Sequence, residues 1–211
     1  MMRRSSRMRL VRGTLFYLML AVILLVTILP FLWMLSSSFK GQEAIRTIPI
    51  RWIPERPTLE GYERVFNMQG FSFTRASLNS LLLAVGCTVA EVASSAMAAF
   101  VFAKLPFKGS GKVFGIYLAT MMIPNTVTMV PNYIILRSLG LLDTYTGLIL
   151  PYLGKAFSVF LMRQSMLGVN DAYLESAFLD GASLYRVFWK IMLPMVTPTL
   201  ATLTLISFMG S

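Results

Sequence analysis

This chain of 211 residues predicts an all-α, polytopic membrane protein with five transmembrane helices, and three observations carry that prediction. Hydrophobic residues make up 56% of it and charged residues 13%, with a mean hydropathy of +0.68, which places it in the membrane class. Uncharged apolar blocks, each long enough to cross a hydrocarbon core of ~30 Å at ~1.5 Å per helical residue, alternate with polar links. The formal charge of +10 is concentrated in those links, where retention on one side of a membrane accounts for it. Nucleic acid is therefore not an expected partner, whereas the lipid bilayer is.

The blocks follow in order. Residues 1–12, MMRRSSRMRLVR, carry five arginines and form a basic N-terminus expected inside. The first transmembrane helix is expected over 13–35, within the uncharged run from Gly13 to Phe39. Its apolar core is too long for a signal-peptide h-region and has no small-x-small cleavage site, so it reads as an uncleaved span. Pro30 is placed to kink it near its outer end. Residues 36–75 are polar, contain Pro49, Pro54 and Pro57, and are expected to form an external loop. Their six basic residues against four acids oppose a strict positive-inside pattern, but a loop of this length weighs less than the N-terminal arginines.

Residues 76–211 are expected to hold the other four spans. The second, about 77–103, carries Gly86, Ala90, Ser94 and Ala98 at four-residue steps, a small-residue stripe suited to close helix packing in lipid. The link AKLPFKGSGK has three lysines and no acid, which fits an inner turn. Its GSGK is not a phosphate-binding loop, since Pro106 stands where the first glycine belongs and Val113 replaces the magnesium-holding hydroxyl. The third span, 113–136, contains MMIPNTVTMVPNY. Pro124 and Pro131 open its backbone near Asn125, Thr126, Thr128 and Asn132, either as a kinked packing helix or as the lining of a path. The fourth, about 144–162, contains Pro151, Tyr152 and Lys155, and a fifth apolar block begins at Met192 and runs uncharged to Ser211.

Two charges fall inside spans. Glu91 lies near the middle of the second, where an ionised acid costs about 2.5–3.5 kcal/mol on insertion scales, and Lys155 lies in the fourth. Depth counting brings them within one to two helical turns, so they are expected either to pair and clamp the two spans or to expose one member to a solute pathway. Asn125, Asn132 and Tyr152 are candidate pathway-lining residues by polarity and placement.

Bond chemistry finds little support. The chain has no histidine, which removes the usual triads, His-based metal sites and the commonest general base. No catalytic residue and no metal site is assigned. The lone Cys87 reads as a small packing residue.

The polar island at 163–194 is the most informative stretch. Asn170 or Asp171 caps a helix start, Asp171 and Glu175 suit the positive end of its dipole, and Gly181 ends it in a left-handed turn. Ser183 then starts a second helix with Leu184, Val187, Phe188 and Ile191 at helical spacing. The sequence therefore predicts two short helices joined by a glycine corner.

Glu175, Ala177, Gly181, Ile191, Leu193 and Pro194 stand at the spacing of the EAA loop, and this pattern resembles the permease subunits of binding-protein-dependent ABC importers. It departs from that family at Ser176, where alanine is usual. PTLEGYERVF before the second span, and the Met-Ile-Pro of the third followed by Pro131 and Tyr133, resemble the sugar-importer branch, of the maltose type. The resemblance implies a cytoplasmic coupling helix that sits in a groove of an ABC ATPase dimer. In it Glu175 makes polar contact, Ser176 and Ala177 keep the helix thin, and Gly181 allows the turn after Asp180, with Ile191, Leu193 and Pro194 completing the motif. It also implies a second permease, a paralogue by the branch, an extracytoplasmic solute-binding protein, and a bacterial or archaeal cytoplasmic membrane. ATP would be used by the ATPase, with no cofactor bound by this chain. The family pattern has six spans, so the sequence further leads to the expectation of a C-terminally truncated pattern. A secondary transporter or channel subunit, and an inactive truncated fragment, remain the alternatives.

Overall fold

The computed structural model describes residues 2–105 and 107–211, and the side chains of 12–105 and 107–211. Pro106 and the side chains of four of the five N-terminal arginines lie outside the described residues. Twelve α-helices and no strand are found among the described residues, and the chain divides into two compact units, residues 1–76 and 77–211.

In the first unit, α1 (Met2–Ser38) runs on through Pro30, and its 12–38 portion is long and apolar enough to cross a membrane. Its large side chains are exposed all round, as Tyr17 at 72% and Leu25 at 65% illustrate, which is the surface of a helix meant for lipid. The polar segment expected as a loop contains two short helices, α2 (Gln42–Ile45) and α3 (Glu60–Phe66). It folds back on the end of α1. Lys40 donates to the Arg51 carbonyl at 2.5 Å and lies 4.1 Å from the Trp33 ring centre, while Trp52 meets Trp33 edge-on at 5.2 Å. Tyr62 donates to Ser38 Oγ at 2.9 Å.

The second unit holds most of α4 (Phe73–Lys104), the other unbroken membrane-length helix. The remaining expected spans are broken. α5 (Ser110–Ala119) and a 3-10 turn at Thr120–Met122 meet α6 (Asn125–Ser138) at 102°. Ile123 and Pro124 are extended there, whereas Pro131 is carried within α6. The expectation of two prolines opening one helix face is thus corrected: the residue before a proline is driven out of the helical region, and at Pro124 this ends the helix. α7 (Tyr145–Ile149) and a 3-10 turn at Leu150–Tyr152 meet α8 (Ala156–Leu167) at 47°, with Gly154 at a φ of +62° between them. α8 runs five residues beyond the expected end of its span.

After α9 (Ala172–Leu179), α10 (Leu184–Val187) leads through a π-helical stretch, Phe188–Met192, into α11 (Leu193–Met195), and α12 (Thr197–Gly210) leaves at 82°. Pro194 explains the widened turn, because its ring crowds the carbonyl four residues earlier and it has no N–H to donate. If each bent pair counts as one span, the described residues hold five by length and composition.

Packing joins α4, α8 and α12 with the short helices. The core includes Ala99, Phe100, Val159, Met162, Met166, Val187, Met192 and Leu203. The buried face of α4 is Cys87, Thr88, Glu91, Ser95, Ala96 and Ala99, one residue round from the expected small-residue stripe. That stripe is only half-buried and serves the α7–α8 break instead. A Cβ at Gly86 would lie 2.9 Å from Ile149 Cδ1, and Ser94 Oγ accepts the Gly154 N–H at 2.9 Å. Tyr117 donates to the Gly154 carbonyl. Peptide groups freed by a broken span are thereby satisfied from α4 and α5, as a hydrocarbon surrounding demands.

Candidate functional site

The helical corner at 170–194 is built by local rules. Asn170 Oδ1 accepts the Ala172 N–H at 3.0 Å and so caps α9, while the Asp171 side chain makes no cap bond. Asp171 is taken instead by Lys104. Glu175 falls in the first turn of α9, where its charge complements the dipole. At the other end the Ala182 N–H reaches the Ala177 carbonyl at 2.9 Å and the Gly181 N–H reaches Phe178 at 3.0 Å. This pair of bonds is the Schellman arrangement, and it needs the left-handed φ of +77° that Gly181 supplies. Ser183 then caps α10 by accepting the Arg186 N–H at 3.4 Å.

The two faces of α9 have different uses. Leu174 and Ala177 are turned inward, 5% and 8% exposed, as part of the core. Tyr173, Glu175, Ser176, Phe178 and Leu179 face outward, with Leu179 89% exposed. The small size of Ala177 lets α9 lie close on its own core, and of the two small residues Ser176 is the one on the outer face. A Cβ at Gly181 would have nothing within 4 Å among the described residues, so within this chain the backbone angle is what requires glycine. Asp180 is exposed beside it. Ile191 and Leu193 are partly buried against the core, and Pro194 sits in the first turn of α11. These three shape the helix that leaves the corner.

The intramembrane charges are brought together. Lys155 Nζ lies 2.9 Å from Glu91 Oε2, and Ser158 donates to Glu91 Oε1 at 2.5 Å. Glu91 is buried with a side-chain exposure of 5%, whereas that of Lys155 is 41%. The ammonium also lies 3.9 Å from the centre of the Tyr152 ring. Tyr152 therefore belongs to the charge-pair cluster. Asn125 and Asn132 are both exposed, seven residues apart on one side of α6.

Sequence reasoning missed Lys104 and Arg163. Lys104 donates to the Val169 carbonyl at 2.6 Å and pairs with Asp171. Arg163 Nε donates to the Phe102 carbonyl at 3.2 Å, its guanidinium 4.3 Å from the Phe114 ring centre. Their position at span ends was visible, but their hydrogen-bond partners lie more than sixty residues away in sequence. No group of three or more metal-ligating side chains occurs among the described residues.

The chain is 32% identical over 199 residues to the arabinooligosaccharides transport system permease protein AraQ of Bacillus subtilis, covering 94% of this chain and 70% of that protein. It is 31% identical over 187 residues to the diacetylchitobiose uptake system permease protein NgcG of Streptomyces coelicolor, covering 88% and 61%. Its fold matches the crystal structure of a bacterial ABC transporter involved in the import of the acidic polysaccharide alginate. That match has a TM-score of 0.84 at 24% identity and covers 95% of this chain and 70% of that one. The chain thus spans about three-fifths to seven-tenths of the length of these proteins. Residues 91–211 match the family described as binding-protein-dependent transport system inner membrane component, and it is to this family that the chain belongs.

Proposed function

We propose that this chain is the permease subunit of an ATP-driven ABC importer for oligosaccharides or related carbohydrates, lying in a bacterial or archaeal cytoplasmic membrane with its N-terminus inside. The observation that carries the reading is the corner made by α9, Gly181 and α10, exposed on one face and packed on the other, within the residues that match the family. Relatives named for arabinooligosaccharide transport and diacetylchitobiose uptake support carbohydrate as the solute class.

In this scheme α9 presents Tyr173, Glu175, Ser176 and Leu179 to a groove in a cytoplasmic ABC ATPase dimer. ATP binds and is hydrolysed there, and this chain binds no cofactor. A second permease completes the pathway, and an extracytoplasmic binding protein delivers the solute. The bent pairs α5–α6 and α7–α8 supply the interrupted backbone from which a pathway can be lined. Asn125, Asn132 and Tyr152 are the candidate lining residues of this chain.

The test is solute uptake by the assembled transporter in vesicles, with Gly181→Leu as the diagnostic variant. Uptake of an oligosaccharide that requires ATP and the binding protein is expected. Gly181→Leu strains the left-handed corner by about 1–2 kcal/mol and is expected to leave membrane insertion intact while uptake falls relative to ATP hydrolysis. Uptake driven by an ion gradient without ATP, or unchanged uptake in the variant, would overturn the scheme.

A further inference from the structure

Lys104 has a side chain only 4% exposed, although it ends a helix at the border of a polar link. A buried ammonium must be compensated, and both compensating groups come from the segment that introduces α9. Its Nζ donates to the Val169 carbonyl at 2.6 Å and to Asp171, the residue just before α9. The end of α4 and the start of α9 are therefore tied by this one side chain. Arg163 of α8 separately donates to the Phe102 carbonyl in the last turn of α4, which ties α8 to the same helix end.

Leu174 and Ala177 of α9 join the core that also holds Ala99 and Phe100 of α4, but packing at the start of α9 is incomplete. A cleft of about 450 Å³ opens between the two segments, lined by Phe102, Ser110, Glu175 and Phe178 beside Lys104 and Asp171. Where close-packed side chains give way to open space, packing by itself resists displacement less. The hydrogen bonds of Lys104 then fix where α9 stands against α4.

We propose that Lys104 is a positioning residue for energy coupling: it latches the start of α9 to the end of α4, so that a displacement imposed on α9 is passed to the second span. Lys104 touches neither solute nor nucleotide, and the proposal rests on the importer reading given above. A loose α9 would still engage its ATPase, and hydrolysis would continue. Less of each stroke would reach the spans.

The experiment measures solute uptake and ATP hydrolysis together in the assembled transporter, reconstituted in vesicles with its binding protein. Lys104→Met is expected to lower uptake per ATP hydrolysed about tenfold, within the usual range for coupling between two sites. Lys104→Arg, which keeps the charge and the donors, is expected to restore most of it. Asp171 is 71% exposed, so Asp171→Ala perturbs the latch with little risk to folding. It is expected to lower the same ratio, with the double variant no worse than Lys104→Met alone. A merely structural lysine would lower uptake and hydrolysis in proportion and leave the ratio unchanged. An unchanged ratio in both Lys104→Met and Asp171→Ala would overturn the latch while leaving the importer reading in place. If Lys104→Met does not insert, Asp171→Ala decides by itself. Wild-type vesicles with no ATP-dependent uptake would overturn the importer reading and the latch with it.

Discussion

Removing Lys155 is expected to cost more than removing the charge of Glu91, because the two partners are unequally buried. In Lys155→Met the Glu91 carboxylate, 5% exposed, keeps the Ser158 hydroxyl but loses its counter-charge. An ionised acid at the centre of a span costs about 2.5–3.5 kcal/mol, and a remaining hydrogen bond offsets about 1 kcal/mol of that, which leaves about 2 kcal/mol. In Glu91→Gln the amide still accepts from Ser158, and Lys155, 41% exposed and against the Tyr152 ring, finds water and the aromatic face. Solvent screening limits that loss to about 1 kcal/mol. The double substitution strands neither charge, so it is expected to cost about 1 kcal/mol, some 2 kcal/mol less than the sum of the singles. Unfolding of the purified chain in mixed detergent micelles reads all three. Costs that add to within about 0.5 kcal/mol would mean that the contact contributes nothing to stability.

Two further substitutions test the packing. A Cβ at Gly147 would fall 2.1 Å from the Leu141 carbonyl oxygen, so Gly147→Ala forces the turn before α7 apart. A loss of about 1–3 kcal/mol is expected in the same unfolding assay, and a wild-type value would show that this turn is looser than described. Ser95 is fully buried in α4 and its hydroxyl has no hydrogen-bond partner among the described residues. Ser95→Ala removes an unsatisfied group worth about 1 kcal/mol or more and is expected to be neutral or stabilising. A clear destabilisation would reveal a partner for that hydroxyl.

What could be read from sequence was whatever is local. The cap before Ala172, the left-handed Gly181 and the Ser183 start of α10 depend on residues within a few positions of one another, so residue type alone placed them. The Glu91–Lys155 contact was legible for a different reason: both charges stand in apolar surroundings, and a charge there demands a partner. Three features escaped. The breaks at Gly154 and Val196 and the 102° angle at Pro124 occur inside apolar blocks, and hydropathy reports composition, not direction. The most buried face of α4, one residue round from the small-residue stripe, was not anticipated, because small residues mark where backbones meet at the α7–α8 junction and not only where a helix is most buried. Lys104 looked like an ordinary topogenic charge until its partners Val169 and Asp171 came into view.

The central claim is that the outer face of α9 meets an ATPase, and contact is best measured directly. Cys87 is the only cysteine, so Cys87→Ala gives a background in which Leu179→Cys, at a site 89% exposed on α9, carries a single thiol cross-linker. Leu139→Cys, 58% exposed just after α6, serves as the control. The account expects Leu179→Cys to cross-link to the ABC ATPase subunit in native membranes, with a yield that changes on ATP binding, and Leu139→Cys not to. No ATPase adduct from Leu179→Cys, in membranes where the transporter imports its solute, would contradict it.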